Sequence, residues 1–182
     1  VDSRSGNPNG ALRRMTNWSG FGYLGDMSVS ADGKRLAFLR NFSQTDVSIA
    51  ETQAGGAKIG TPRRLTLDDS NDYPMSWMPD SRTVLFSSDR NGVEAIFKQG
   101  MDDDTAQLVV SGGSEPTRSP RISADQQWIF YLVGFPATEN PSKNRRLMRV
   151  PSGGGAPEFI LEAPNLSGVH CAIPPSTICI YN

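Results

Sequence analysis

The chain is poor in the residues that most catalytic chemistry needs. Its 182 residues include one histidine, His170, and two cysteines, Cys171 and Cys179. A lone histidine excludes a zinc site built on a histidine pair. With no Gly-x-Ser-x-Gly elbow in the sequence, a Ser-His-Asp hydrolase site also lacks its frame. His170 adjoins Cys171 in an expected strand and reads as a structural strand residue. No catalytic residue, metal ligand set or cofactor is therefore expected. No apolar run approaches the ~20 residues of a membrane-spanning helix, so no membrane insertion by this segment is expected. Excess charge is missing too: 18 Lys+Arg against 19 Asp+Glu leave a net −1. No global field draws the chain to nucleic acid, and no nucleic-acid partner is expected. Arg13-Arg14, Arg63-Arg64 and Arg145-Arg146 read as solvated strand faces. No signal peptide is visible and Val1 is not an initiator methionine, so the chain reads as processed or cut from something longer.

What is present is turn chemistry and a repeat. Hydrophobic residues make up 37%, with 18 Gly and 13 Pro, which is turn-rich without the apolar depletion of a disordered chain. The turns Ala31-Asp32-Gly33, Pro79-Asp80-Ser81 and Ala124-Asp125-Gln126 place their aspartates 48 and then 45 residues apart. A degenerate fourth turn, Pro174-Pro175-Ser176, follows 50 residues on. Pro fixes φ at the first corner, Asp accepts from nearby backbone N–H groups, and Gly tolerates positive φ. After each turn comes a nearly continuous apolar run: Leu36–Leu39, Val84–Phe86, Trp128–Leu132 and Ile178–Tyr181. Such runs predict strands buried on both faces, with each sheet between two others.

A third strand repeats as Asp46–Ile49, Glu94–Phe97 and Arg146–Arg149, and a fourth as Arg63–Thr66, Gln107–Val110 and Glu158–Leu161. Leu12–Thr16 matches the fourth strand alone. With strands lettered A to D, the chain reads D, ABCD, ABCD, ABCD, AB. Four-stranded units of about 40–50 residues are the pattern of an all-β propeller of antiparallel blades. The expected blades cover about 22–66, 73–110 and 118–161, with a leading D strand at 12–16 and a partial blade at 166–182. Residues 1–11 read as a disordered or linker segment. A β-sandwich of short strands is the competing fold, but it would not repeat its turns in register.

SVSADGKRLAFLR, SWMPDSRTVLFSSDRNG and RISADQQWIFYL resemble the repeats of TolB-like propellers, relatives of the WD-repeat family. The resemblance runs through nearly the whole chain from Leu12, and its closest likeness is to propellers of bacterial signalling proteins. The WD dipeptide itself is absent. The resemblance implies a non-catalytic module that binds a protein, peptide or ligand within a larger bacterial signalling or envelope protein. The alternative it leaves is the propeller of a serine peptidase or a carbohydrate-active enzyme whose catalytic domain lies elsewhere. Periplasmic or extracytoplasmic placement is favoured over cytoplasmic. The blade count is short of a closed ring, so the propeller is expected to be partial. A fragment, two copies sharing strands, and a small ring closed by the leading strand are the open readings, and unpaired blade edges make self-association an expected property.

In a propeller the B–C and D–A loops share one face of the disc. Here that face carries Leu67–Asp72, Asp89–Gly92, Glu115–Ser119 and the insertion Gly134–Asn144. Recognition residues concentrate on such loops. The candidate ligand or partner residues are Asp69, Asn71, Asp72, Asp89, Arg90, Asn91, Arg118, Glu139 and Asn140, weighed against plain turn roles. Asp68, Asp69 and Asp72, or Asp102 to Asp104, offer oxygens for a hard cation, but without calcium-loop spacing they read as solvated acidic turns. Cys171 and Cys179 lie four residues before and after Pro175 and could face each other across a hairpin. Free buried thiols, a disulfide and a redox pair are all open. Phe38, Trp77, Phe86, Trp128, Phe130 and Tyr131 are expected to pack between blades. Asn17, Asn41 and Asn165 head matches to the glycosylation pattern.

Overall fold

The computed structural model describes residues 22–42, 44–135, 144–172 and 175–182. The expected leading strand 12–16, the segment 1–11, Asn17, Glu139, Asn140 and most of the Gly134–Asn144 insertion lie outside the described residues.

The described chain is all-β apart from one short 3-10 turn at Ala54–Gly56. Two complete blades carry the architecture. β7 (Asp72–Trp77), β8 (Thr83–Ser88), β9 (Ala95–Gly100) and β10 (Gln107–Val110) form one antiparallel sheet in chain order. β11 (Thr117–Ile122), β12 (Trp128–Val133), β13 (Arg145–Pro151) and β14 (Glu158–Ala163) form the next. β15 (Val169–Cys171) and β16 (Cys179–Tyr181) pair as a two-stranded start of a further blade.

The first repeat folds differently from its expected four-stranded sheet. β1 (Gly22–Val29) pairs with β2 (Leu36–Phe42), but β2 has no pairing with the third strand. β3 (Ser48–Ile49) pairs with β6 (Arg63–Arg64), which is the third-to-fourth strand pairing expected of a blade. Between them β4 (Thr52–Gln53) and β5 (Lys58–Ile59) make a small hairpin around the 3-10 turn.

The core lies between sheets rather than within any one of them. Val47, Ile49 and Leu65 of the first repeat pack against Val84, Phe86, Ala95 and Phe97 of the second. Leu85, Ile96 and Val110 then meet Ile129, Tyr131 and Val150 of the third. Leu132 and Leu147 meet Leu166 and Val169. Alternate residues of β8 thus serve two different cores, which is why its run has no polar position for solvent. The same reasoning corrects the burial expected of β2 and β16. Leu36, Phe38 and Leu39 are 48%, 39% and 52% exposed, and Ile178, Ile180 and Tyr181 are exposed as well. A B strand is buried only when a blade covers each of its faces; β1 and β2 belong to no buried apolar cluster among the described residues. Trp77 is also exposed, so of the aromatics expected between blades only Phe86 and Tyr131 are fully buried.

The three turns close in one way. The Asp80 carboxylate accepts from the backbone N–H groups of Arg82 and Thr83 (2.9 Å each) and from Thr83 Oγ1 (2.6 Å). Asp32 accepts from Lys34 N–H (3.1 Å) and Ser30 Oγ (2.5 Å); Asp125 accepts from Gln127 N–H (3.1 Å) and from the Ser123 hydroxyl. The third turn position is left-handed every time, at Gly33 (φ 69°), Ser81 (φ 54°) and Gln126 (φ 63°). Only the first has the glycine that the geometry favours, so the Asp bonds hold the other two against a steric cost.

Side-chain hydrogen bonds from Thr83, Ser30 and Ser123, then the backbone donors, hold all three carboxyls below their ordinary value of 3.8. A carboxyl that binds protons less readily when folded stabilises the fold above its unfolded pKa. That contribution drains as pH falls below 3.8 through the lowered folded values. The expected result is a melting temperature that drops on this acid limb, with Asp80→Asn melting lower than the wild type at neutral pH and dropping less in acid, so that the two curves converge there. Melting curves from neutral to strongly acid pH check it; parallel acid limbs for the two proteins would refute it.

The first three A strands carry a bulge at the same place in the repeat: between Gly25 and Ser28, Pro74 and Ser76, and Arg118 and Arg121. Asp26 (φ 45°) and Ser119 (φ 57°) take left-handed backbone there. A bulge adds twist and re-aims the following side chain. In β11 it sends Arg121 across to the Met75 carbonyl of the neighbouring blade at 2.5 Å. Burial pushes the Arg121 guanidinium down from its usual value, and its other carbonyl contact is Pro120 at 3.1 Å.

Candidate functional site

Of the loops named from sequence, Leu67–Asp72 and Asp89–Gly92 meet at the B–C and D–A end of β7 to β9. Their side chains are largely committed to one another. Asn71 donates to Asp89 from its backbone N–H (2.8 Å) and from Nδ2 (2.9 Å). Arg90 reaches back to Asp72 Oδ1 (3.0 Å) and Asp68 Oδ2 (3.1 Å) and donates from Nε to Ser88 Oγ (2.9 Å). Its guanidinium also lies 5.3 Å from the Phe86 ring centre and 4.7 Å from that of Phe97. Arg90 therefore caps the first interblade core and neutralises the acidic loop in front of it.

Asp72 is fully buried and its Oδ2 has no hydrogen-bond partner among the described residues. Asn71 is buried too, whereas Asp69 and Asn91 are exposed at the edge of the network. Asp68 is intermediate in role: its side chain is 42% exposed, its Oδ1 accepts from Ser70 N–H, and its carbonyl takes Gln44 Nε2 at 2.7 Å.

The same device recurs one blade on. Arg118 pairs with Glu94 at 2.5 Å, joining the start of β11 to the loop before β9. Arg146 of β13 pairs with Glu115 in the D–A loop before β11. Ser119 N–H and Ser87 Oγ add a bond between the blades at 3.3 Å. Glu94, Glu115 and Arg146 escape sequence reading because their partners stand 24 to 31 positions away and meet only when blades stack.

Cys171 and Cys179 are register partners across β15 and β16, and they form a disulfide. Such a bond is compatible with an oxidising compartment. Among the described residues no group of three His, Cys, Asp or Glu side chains is placed to hold a metal ion. His170 is exposed on β15. No helix among the described residues is long and apolar enough to cross a membrane. What the arrangement offers is a fixed set of charges on loops held by the sheets.

Four-stranded antiparallel sheets stacked face to face through apolar cores define a β-propeller segment. The chain is TolB-like. It is 32% identical over 124 residues, 67% of its length, to the Tol-Pal system protein TolB of Wolinella succinogenes. It spans 27% of that relative's length. No family model matches the chain. Among solved structures, a putative TolB from Agrobacterium tumefaciens overlays with a TM-score of 0.45 at 18% identity, covering 78% of this chain and 63% of that one. TolB from Acinetobacter baumannii overlays with a TM-score of 0.49 at 15% identity, covering 88% and 43%.

Proposed function

We propose that this chain is a non-catalytic recognition module of a larger bacterial envelope or signalling protein, and that its B–C and D–A loop face meets a protein or peptide partner. The observation that carries the reading is the locked network of Asn71, Asp72, Asp89 and Arg90, with Asp69 and Asn91 exposed at its rim. Buried members hold the loops in one shape; the rim supplies acceptors and an amide to a ligand that brings cationic or donor groups. Preorganisation of this kind lowers the ordering cost of binding. The Wolinella succinogenes relative is a Tol-Pal system protein, and an extracytoplasmic setting for this chain agrees with its disulfide.

The test is binding of the monodisperse protein, its mass fixed by light scattering, to arrays of basic, acidic and neutral peptides. Basic peptides are expected to bind. A combined Asp69→Lys, Asn91→Ala variant is expected to lose about tenfold or more, a loss of ~1.4 kcal/mol. Asp102→Lys, on the opposite loop face, is the control and is expected to leave binding unchanged. Equal losses from both faces, or peptide cleavage in place of binding, would overturn the reading.

A further inference from the structure

We propose that Cys171–Cys179 is a site of reversible thiol–disulfide exchange with a dithiol reductant, and that its state decides whether the β15–β16 hairpin stays docked on β12 and β13. Among the described residues the two strands, of three residues each, pair with no other strand and form a two-stranded sheet. Isolated two-stranded hairpins are marginal in water, so a covalent bond between the two strands is a main support of the pairing. The bond joins facing residues next to the turn, where it fixes the register of Val169 against Tyr181 and His170 against Ile180.

That register places an apolar lid. Leu166 and Val169 are buried against Leu132 and Leu147, and Phe130 and both cysteines pack at the margin of the same cluster. Opening the hairpin would bare Leu132 and Leu147, which are now almost wholly covered. Access favours exchange. Both cysteines are only half-buried, and their neighbours His170, Ala172, Ile178 and Ile180 are exposed, so an attacking thiolate reaches a sulfur without crossing the core.

The chemistry balances within the pair and its reductant. One thiolate of the reductant attacks a sulfur of the bond and displaces the other cysteine as a thiolate, which takes up a proton. The reductant's second thiol then displaces the first cysteine from the mixed disulfide. Two electrons pass from the dithiol, which leaves as a disulfide, and the protein keeps two thiols. No side chain needs to act as a base at the bond.

The experiment is a titration of the folded chain with dithiothreitol, followed by thiol counting and by hydrogen exchange of 166–182 and 128–133. Reduction without denaturant is expected, with exchange at Val169–Cys171 and Cys179–Tyr181 rising about tenfold or more while β8 and β9 hold. The combined Cys171→Ser, Cys179→Ser variant is expected to show the open pattern and no response to the reductant. A bond that is reduced only in denaturant would overturn the proposal, as would reduction that leaves hairpin exchange unchanged. If the double variant fails to fold, the wild-type titration alone decides between these outcomes.

Discussion

Phe86→Ala is expected to cost about 3–5 kcal/mol, enough to consume much of the ~5–15 kcal/mol that holds an ordinary domain together. Phe86 is fully buried in β8 and stacks on Phe97 with ring centres 6.1 Å apart. Truncation removes the transfer free energy of the ring and leaves a cavity that flanking sheets cannot close without losing their register. It also takes the aromatic face from beneath Arg90, so the loss reaches the loop network above. Urea unfolding followed by tryptophan fluorescence measures the change. Phe159→Ala is the matched control: Phe159 is 60% exposed on β14, and its loss is expected to stay within about 0.5 kcal/mol. Near-equal midpoints for the two variants would mean that the interblade core is not what holds the blades together.

Phe86 also shows how far the sequence was legible. Its run read as a strand buried on both faces, because no polar residue interrupts it and sequence alternation survives only where one face is wet. The turns were legible for a similar reason: Asp32, Asp80 and Asp125 do local work, bonding donors two or three residues away. Local chemistry of that kind is written in adjacent letters. Leu36, Phe38 and Leu39 gave the same apolar signal and yet stand exposed, because burial depends on a blade stacked against them. Pattern reports what a strand can bury, while topology decides what covers it. The site divides along the same line. Asn71, Asp72, Asp89 and Arg90 were visible as loop residues, but their mutual engagement was not, since each bond spans the 18 residues between a D–A segment and a B–C loop. Facing positions for Cys171 and Cys179 could be read from their symmetry about Pro175; the choice among thiols, disulfide and redox pair could not, because spacing says nothing of oxidation.

Arg90→Leu is the second substitution with a large expected effect, at about 3–5 kcal/mol, and it works by a different mechanism. A leucine keeps much of the apolar contact with Phe86 and Phe97, so the core stays filled. What it removes is the cation. Asp72 is left wholly buried with its Oδ1 deprived of Arg90 and its Oδ2 already without a hydrogen-bond partner among the described residues. An uncompensated buried carboxylate costs far more than the pair was worth while intact, because desolvation is no longer offset. Asp68 suffers less, being partly in water. The two mechanisms separate through a second change. If charge is the cause, Asp72→Asn in the Arg90→Leu background should recover a substantial part of the loss, on the order of 1–3 kcal/mol of coupling, although Asp72→Asn alone destabilises. If packing is the cause, the two losses should add. The cycle needs only four unfolding curves. Additive losses would assign Arg90 to the apolar core, and strong rescue would assign it to the charge of Asp72, which fixes the loop face by keeping Asp72 and Asp68 drawn to one side chain.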